Sequence, residues 1–191
     1  MTQFQLWEVL AVLLAVIYLV LAIRQNIWCW AAAAVSTLLY LFIMYRADLY
    51  MESALQFFYL GMAAYGWYEW RHGGAGGEEL EVSTWPVRYH LIALFTVMTL
   101  VLVSGELLSR YSSAALPFLD SFTTWGAVVA TFMVARKILE NWIYWFVIDA
   151  VSIGLYLSRE LYFTAGLFAF YLVMIVIGYR KWRASMLEST A

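Results

Sequence analysis

The segment Asn141–Tyr156, NWIYWFVIDAVSIGLY, is an apolar run of helix length that carries an amide, two tryptophans and a carboxylate. Its aromatic and polar residues recur at helical spacing and share one face: Trp142, Trp145, Asp149, Ser152 and Tyr156. A carboxylate in the middle of an apolar span is costly in hydrocarbon, so it should face protein or a water-filled cavity. Asp149 is therefore our first candidate for a functional residue.

The composition around this segment is that of a membrane protein. Of the 191 residues, 65% are hydrophobic and 19% are aromatic, and the mean hydropathy is +0.77. A helix needs about 20 apolar residues to cross a bilayer core. The sequence contains seven such runs, at residues 5–23, 27–45, 49–70, 87–109, 119–136, 140–158 and 161–180. We therefore predict an all-α integral membrane protein with seven transmembrane helices.

Spans one to three resemble spans five to seven in sequence. Matching pairs at a shift of 112 are Trp7-Glu8 with Leu119-Asp120, Arg24 with Arg136, Asp48-Leu49-Tyr50 with Glu160-Leu161-Tyr162, Gly66 with Gly178, and Trp70 with Trp182. VSTLLY at 35–40 matches VSIGLY at 151–156 at a shift of 116, and we assign the change of shift to the span junctions. Three spans reverse the direction of the chain across the membrane. Two triplets that run in the same direction therefore need one connecting helix between them, and span four supplies it.

This pattern predicts a parallel 3+1+3 repeat, an architecture typical of transporters with a substrate site at the interface of the repeats. We assign residues 1–71 to the first repeat, 72–110 to a cytoplasmic loop and linker helix, 111–183 to the second repeat, and 184–191 to a cytoplasmic tail. The segment 71–86, RHGGAGGEELEVSTWP, is glycine-rich and acidic, and we interpret it as a flexible solvent loop.

The cations are distributed unequally between the two sides. If the N-terminus is outside, eight fall in cytoplasmic segments: Arg24, Arg71, Arg88, Arg136, Lys137, Arg180, Lys181 and Arg183. Three fall in external segments, namely Arg46, Arg110 and Arg159. Because cytoplasmic loops carry the excess of Lys and Arg, we predict that the N-terminus is outside and the C-terminus cytoplasmic.

Further site candidates lie on spans two and three. Gln56 and Tyr59 share a face of span three with Glu52, which is close enough to the external face to be merely solvated. Gln56 is either a ligand group or a hydrogen-bonding contact between helices. Span two offers Trp30 near its start, and Trp28 and Asn26 precede it.

Simpler structural roles compete with these assignments. Trp142 lies close enough to a span end to be an interfacial tryptophan, whereas Trp145 is a turn deeper. We assign four tryptophans to the interfaces: Trp67, Trp70, Trp85 and Trp182. Asp120 is assigned as the N-cap of span five, and Thr123 and Thr124 as residues that hydrogen-bond back to their own helix.

Aromatic faces, amides and one buried carboxylate suit a flat heteroaromatic cation with hydroxyl or amide groups. The span interiors hold no Arg or Lys to bind a phosphate, and the sequence has no Walker A motif to drive transport with ATP. His72 and His90 have no partners at metal-ligand spacing, Cys29 is interpreted as a buried filler, and no basic patch indicates nucleic acid. We expect no cofactor and no enzymatic activity, because catalytic groups do not pair at one depth. A lipid-modifying enzyme and a structural membrane protein are the alternatives.

Four motifs carry a resemblance to a known family: Asn26-x-Trp28, Tyr65-Gly66-Trp67-Tyr68-x-Trp70, Pro117-Phe118-x-Asp120-Ser121, and Glu140-Asn141-Trp142-x-x-Trp145-x-x-x-Asp149. Together they resemble the PnuC family of vitamin transporters, seven-helix relatives of the SWEET transporters. The resemblance implies facilitated diffusion of nicotinamide riboside across the bacterial inner membrane, trapping by intracellular phosphorylation, and a homotrimer. It also implies that Gln56, Asn141, Trp142 and Trp145 bind substrate. Some nicotinamide riboside carriers have asparagine where this chain has Asp149, so thiamine or riboflavin is the alternative substrate.

Overall fold

The computed structural model describes residues 3–46, 50–111, 116–158 and 162–189. Over these ranges the chain forms seven α-helices: α1 Gln3–Ile23, α2 Trp28–Arg46, α3 Tyr50–His72, α4 Val87–Tyr111, α5 Pro117–Ala135, α6 Asn141–Ser158 and α7 Tyr162–Ser189. A short 3₁₀ turn, Ala75–Gly77, lies between α3 and α4. The prediction of an all-helical chain with seven helices is confirmed.

Six helices begin and end within two residues of the predicted spans, and α7 is the exception. It continues from the predicted end at residue 180 to Ser189, into the segment assigned as a tail. Hydropathy falls at Arg180. The residues that follow include good helix formers and no glycine or proline, so the helix continues past that residue.

Three helical segments of the described chain are long and apolar enough to cross a membrane: Val87–Tyr111, Pro117–Ala135 and Ala165–Ser189. Three shorter apolar segments are Val9–Ile23, Trp28–Ile43 and Asn141–Leu157.

The chain divides into two compact units. Unit 1 comprises Met1–Glu81, Ala135–Lys137 and Ala184–Ala191, and unit 2 comprises Val82–Val134 and Ile138–Arg183. Within unit 1, α2 packs against both α1 and α3. Its core includes Ala11, Leu39 and Ile43, and the Ser36 hydroxyl donates to the Ala11 carbonyl at 3.0 Å.

The turns that end α1 and α5 have the same geometry. Gln25 follows α1 with a φ of 54° and Lys137 follows α5 with a φ of 47°, both left-handed. After each of them an amide closes the helix end, Asn26 N to Leu21 O at 3.0 Å and Ile138 N to Met133 O at 2.9 Å. These bonds span five residues, as in the Schellman motif.

The helix ends extend this equivalence along the chain. The ends of α1 and α5, Ile23 and Ala135, differ by 112, as do the left-handed residues Gln25 and Lys137 that follow them. The shift of 116 assigned to residues 35–40 and 151–156 is wrong as a structural equivalence, because the turns before α2 and α6 correspond at 112 and both helices are continuous through these residues.

The segment that follows α3 has a defined path, and most of its residues are exposed, as predicted for a solvent loop. The Leu80 amide donates to the Trp70 carbonyl at 3.1 Å, and Ser83 pairs with Ile138 in a parallel bridge. Val82 is 6% exposed. Gly76 and Gly77 form the turn with left-handed φ angles. The buried Val82 side chain and the two backbone contacts then hold the segment that follows.

The assignment of Asp120 as an N-cap is also wrong. Helix α5 begins at Pro117, where a missing amide hydrogen costs nothing, and Asp120 lies inside its first turn. The Asp120 carbonyl accepts hydrogen bonds from the hydroxyls of Thr123 and Thr124 at 3.1 and 2.8 Å. The predicted back-bonding of these two threonines is confirmed.

Candidate functional site

The polar and aromatic face of α6 is turned inward. Asn141 is 0% exposed, Trp142 3%, and Asp149 and Ser152 5% each. Trp145 and Tyr156 are partly buried. The residue of α2 equivalent to Asp149 is Thr37, so the carboxylate belongs to unit 2 alone at this position. The predicted inward direction of Asp149 agrees with its burial.

Two buried polar atoms at the start of α6 have no hydrogen-bond partner within the described residues. The Asn141 side-chain nitrogen donates to the Ile138 carbonyl at 2.6 Å, which leaves its Oδ1 without a donor. The adjacent Trp142 Nε1 has no acceptor. An unpaired buried polar atom costs about 1–3 kcal/mol, so this acceptor and donor together are suited to a polar ligand or ordered water.

Trp142 is held by its neighbours on α7. Its ring meets Trp182 edge-on, with centroids 5.4 Å apart and an interplanar angle of 89°. A Cβ at Gly178 would lie 2.5 Å from the Trp142 ring, so only glycine admits the indole here. Trp182 is 0% exposed, and its assignment to the membrane interface is wrong.

Unit 1 repeats this packing with Trp30. Its ring meets Trp70 edge-on at 5.5 Å and 84°, and a Cβ at Gly66 would lie 2.3 Å from it. Trp30 Nε1 is likewise buried without a partner among the described residues. Trp70 is 2% exposed, so its interfacial assignment is wrong too. All three positions differ from those in unit 2 by 112, and the sequence signal was the glycine four residues before each tryptophan.

Within each unit, the candidate substrate-binding residues lie far apart along their helices. Tyr156 lies fourteen residues after Trp142, about 21 Å along the axis at about 1.5 Å per residue, and its ring packs 5.0 Å from Phe168. Gln56 and Tyr59 are partly buried on one face of α3. Gln56 precedes Gly66, against which Trp30 packs, by about 15 Å along the helix. One small ligand therefore cannot contact every candidate at once, and the side chain of Glu52 lies outside the described residues.

A cluster of charges that the sequence did not indicate surrounds the turn after α5. Arg136 donates to the Glu69 carboxylate at 2.9 Å and to the Tyr65 hydroxyl at 3.4 Å. The Tyr65 hydrogen bond raises the pKa of Arg136, and the charge of Glu69 acts in the same direction. Lys137 is 6% exposed, with Nζ 4.8 Å from the centroid of Trp70. Burial lowers the pKa of Lys137, although nearby Glu79 opposes the shift.

Sequence reasoning also missed a cavity of about 410 Å³ inside unit 2. It lies between α4, α5 and α6, against the face of α6 that carries Ile143, Tyr144 and Val147. That face is opposite the stripe that carries the predicted site residues Trp145 and Asp149.

Comparison with known proteins identifies relatives along nearly the whole chain. The family model described as "Nicotinamide mononucleotide transporter" matches residues 5–184. The riboflavin/roseoflavin transporter RibM of Streptomyces davaonensis is 28% identical over 175 residues, 89% of this chain and 81% of the relative. The nicotinamide riboside transporter PnuC of Escherichia coli is 24% identical over 193 residues, 88% of this chain and 81% of the relative. The crystal structure of the vitamin B3 transporter PnuC superposes with a TM-score of 0.71, at 23% identity and covering 94% of this chain and 81% of that chain, which shows a shared fold.

Proposed function

The chain belongs to the nicotinamide mononucleotide transporter family, as its motifs predicted, and on this basis we propose that it is a uniporter for an unphosphorylated vitamin. The family consists of multi-pass membrane transporters. Facilitated diffusion of nicotinamide riboside, followed by phosphorylation inside the cell, is the proposed activity. The proposal places the protein in the bacterial inner membrane with its N-terminus outside.

The observation that carries nicotinamide riboside as the substrate is the burial of Asp149 on an aromatic face of α6. Asp149 is 5% exposed, and partly buried Trp145 lies four residues before it. A carboxylate and an indole face both attract a flat pyridinium cation. The unpaired Asn141 Oδ1 supplies an acceptor for an amide or a ribose hydroxyl. The span interiors supply no Arg or Lys for a phosphate, which favours the riboside over the mononucleotide.

Two other vitamins are favoured by specific observations. Riboflavin is supported by the 28% identity to RibM, although this neutral ligand would not use the charge of Asp149. Thiamine is a cation and suits Asp149 for the same reason as nicotinamide riboside. Sensitivity of binding to the charge of Asp149 therefore separates the two cations from riboflavin.

The proposed substrate-binding residues are those predicted from the sequence, with Trp145, Asp149, Asn141 and Gln56 foremost. Trp142 and Trp30 belong to the proposed set through their indole N–H groups, which are buried without a partner among the described residues. Tyr59 and Tyr156 complete the set, with Tyr156 too far along α6 to share a contact with Trp142.

The finer architecture is part of the proposal. It comprises two equivalent triplets, α1–α3 and α5–α7, joined by α4 as in a SWEET-like 3+1+3 repeat. The repeated tryptophan–glycine–tryptophan packing at a constant shift of 112 supports it. A homotrimer is proposed from the family resemblance.

Ligand binding by single variants of the purified protein tests the site. Trp145→Ala, Gln56→Ala and Asn141→Ala should each weaken binding of nicotinamide riboside by about 1–3 kcal/mol, because each removes a direct contact. Phe57→Ala is the matched control, since Phe57 is 66% exposed next to Gln56 on α3 and is not among the proposed site residues. Wild-type affinity in all three site variants would place the substrate elsewhere.

A further inference from the structure

The cavity within unit 2 is lined almost wholly by apolar surface, and three lining residues that carry polar groups, His90, Glu140 and Tyr144, lie together at one end. His90 Nδ1 and the Tyr144 hydroxyl form a hydrogen bond of 3.0 Å within one turn of the starts of α4 and α6, and Glu140 immediately precedes α6. Deeper in the cavity the lining is apolar, with Val97 on α4 and Ile148 on α6. Val97 is about 10 Å beyond His90 along its helix axis. An apolar slot with polar groups at one end suits the acyl chain of an amphiphile, and we call it the α4–α6 slot.

The α4–α6 slot is lined in part by exposed side chains of unit 2. Among its lining residues, Leu94 and Ile143 are each 51% exposed and Val147 is 47% exposed. In a membrane transporter, apolar side chains exposed at span depth face hydrocarbon. A dry apolar cavity does not retain water, because water needs two to four polar partners. A hydrocarbon chain is thus the occupant that fits the deep part of the slot.

The chemistry of the polar end specifies the headgroup. The Glu140 carboxylate accepts a hydrogen bond from the Trp85 amide at 3.3 Å. The rings of Trp85 and His90 lie 5.6 Å apart, and those of His90 and Tyr144 5.8 Å apart. A carboxylate beside clustered aromatic faces attracts an ammonium group.

We propose that the α4–α6 slot is a binding site for one acyl chain of a zwitterionic phospholipid whose headgroup carries an ammonium, with phosphatidylethanolamine as the probe. The ammonium lies beside Glu140 and the acyl chain runs along Val147 toward Gly126. A volume of about 410 Å³ accommodates part of such a chain, within the range of about 300–1,000 Å³ of small-molecule pockets. The site is independent of the vitamin, because it uses the opposite face of α6.

Photocrosslinking tests whether lipid occupies the slot. The full chain, reconstituted in lipid nanodiscs, is labelled with phosphatidylethanolamine that carries a diazirine in its acyl chain, and labelled peptides are mapped by mass spectrometry. We expect labels on α4 and α6 near Val97 and Val147. Val147→Trp fills the slot and should reduce this labelling about tenfold, because buried methylenes supply most of the binding. Val173→Trp on α7, where valine is 59% exposed, is the control and should label like wild type.

Ile143→Trp is a second filling variant, so the test survives if Val147→Trp fails to fold. Undiminished labelling in a folded filling variant would overturn the proposal. A filling variant that changes the oligomeric mass in native mass spectrometry, with no lipid label in the wild type, would show that a second copy covers the slot, and would also overturn it.

Headgroup preference is tested by competition in native mass spectrometry. Phosphatidylethanolamine should displace the labelled lipid at lower concentration than phosphatidylglycerol, which has no ammonium. Glu140→Gln keeps an acceptor for the Trp85 amide but removes the charge, so it should abolish this preference while keeping acyl-chain labelling. Equal competition by the two lipids in the wild type, or an unchanged preference in Glu140→Gln, would refute the assigned headgroup.

Discussion

Replacing Gly178 by alanine tests the packing that fixes Trp142 at the start of α6. The added Cβ would lie 2.5 Å from the indole ring, closer than carbon atoms approach without movement. The ring has little room to move, because Trp142 is 3% exposed and packs edge-on against fully buried Trp182. Gly66→Ala makes the equivalent change in unit 1, where the new atom would lie 2.3 Å from Trp30.

The magnitude follows from two opposing terms. Overpacking a well-packed site costs about 1–3 kcal/mol, whereas alanine in a helix gains about 0.5–1 kcal/mol over glycine. At Gly154 and Gly61 no atom lies within 4 Å of the added Cβ, so only the gain applies. In a chain of this size 1 kcal/mol moves the Tm by about 2–4 °C. The net cost for Gly178→Ala is about 0–2.5 kcal/mol, so it should lower the Tm by up to about 10 °C, and Gly154→Ala should raise it by about 1–4 °C.

Thermal unfolding of the purified protein in detergent, followed by tryptophan fluorescence, measures these shifts. Adding Trp142→Leu to Gly178→Ala removes the clash, so the double variant should be less destabilised than the sum of the two single variants. Additive effects in this cycle, or a Tm of Gly178→Ala equal to that of Gly154→Ala, would refute the packing described for α6 and α7.

Three further predictions concern charges and turns. Asp149→Asn should weaken binding of a cationic vitamin about tenfold and leave riboflavin binding unchanged. The reason is that a cation about 4 Å from the carboxylate gains up to about 4 kcal/mol before desolvation. An equal loss of affinity for both ligands in a binding titration would contradict this. Glu69→Gln should lower the free energy of unfolding by about 1–2 kcal/mol, since the Arg136 side chain is 42% exposed but that of Glu69 only 12%, and about 1 M salt should reduce this difference without abolishing it. Gln25→Gly should raise the Tm slightly, because glycine adopts the left-handed φ of 54° without strain. Lys137→Gly should lower the Tm, because the Lys137 side chain packs on Trp70. Tm shifts of the same sign in the two variants would contradict the different surroundings described for these residues.

The helices were predictable because long apolar runs and charged breaks are local signals. Helices α1 and α5 end immediately before Arg24 and Arg136, and α3 ends before a glycine, whereas α7 continues through its cations to Ser189. Its end was misplaced because hydropathy marks the membrane boundary, while the backbone stops only at a breaker or a cap. The path of 71–86 was missed for a related reason: a glycine-rich composition does not show that Val82 is buried or that Ser83 pairs with Ile138.

The sequence predicted which face of α6 carries the candidate site residues, but not which residues their side chains contact. Helical periodicity indicated that Asp149 and its stripe share one side of α6, and the structure buries Asp149. Periodicity cannot tell an interfacial tryptophan from one packed against a glycine, so Trp70 and Trp182 were misassigned. The α4–α6 slot escaped notice because its shape depends on the distance between three helices, which no single segment encodes.

Uptake by liposomes that contain only the purified protein tests the proposed transport most directly. Labelled nicotinamide riboside, thiamine and riboflavin are offered separately, with and without a pH gradient. A uniporter for nicotinamide riboside predicts saturable uptake of that compound to equal internal and external concentrations, independent of the pH gradient and lost in Trp145→Ala. Accumulation above the external concentration driven by the pH gradient, or uptake of none of the three vitamins above protein-free liposomes, would contradict it.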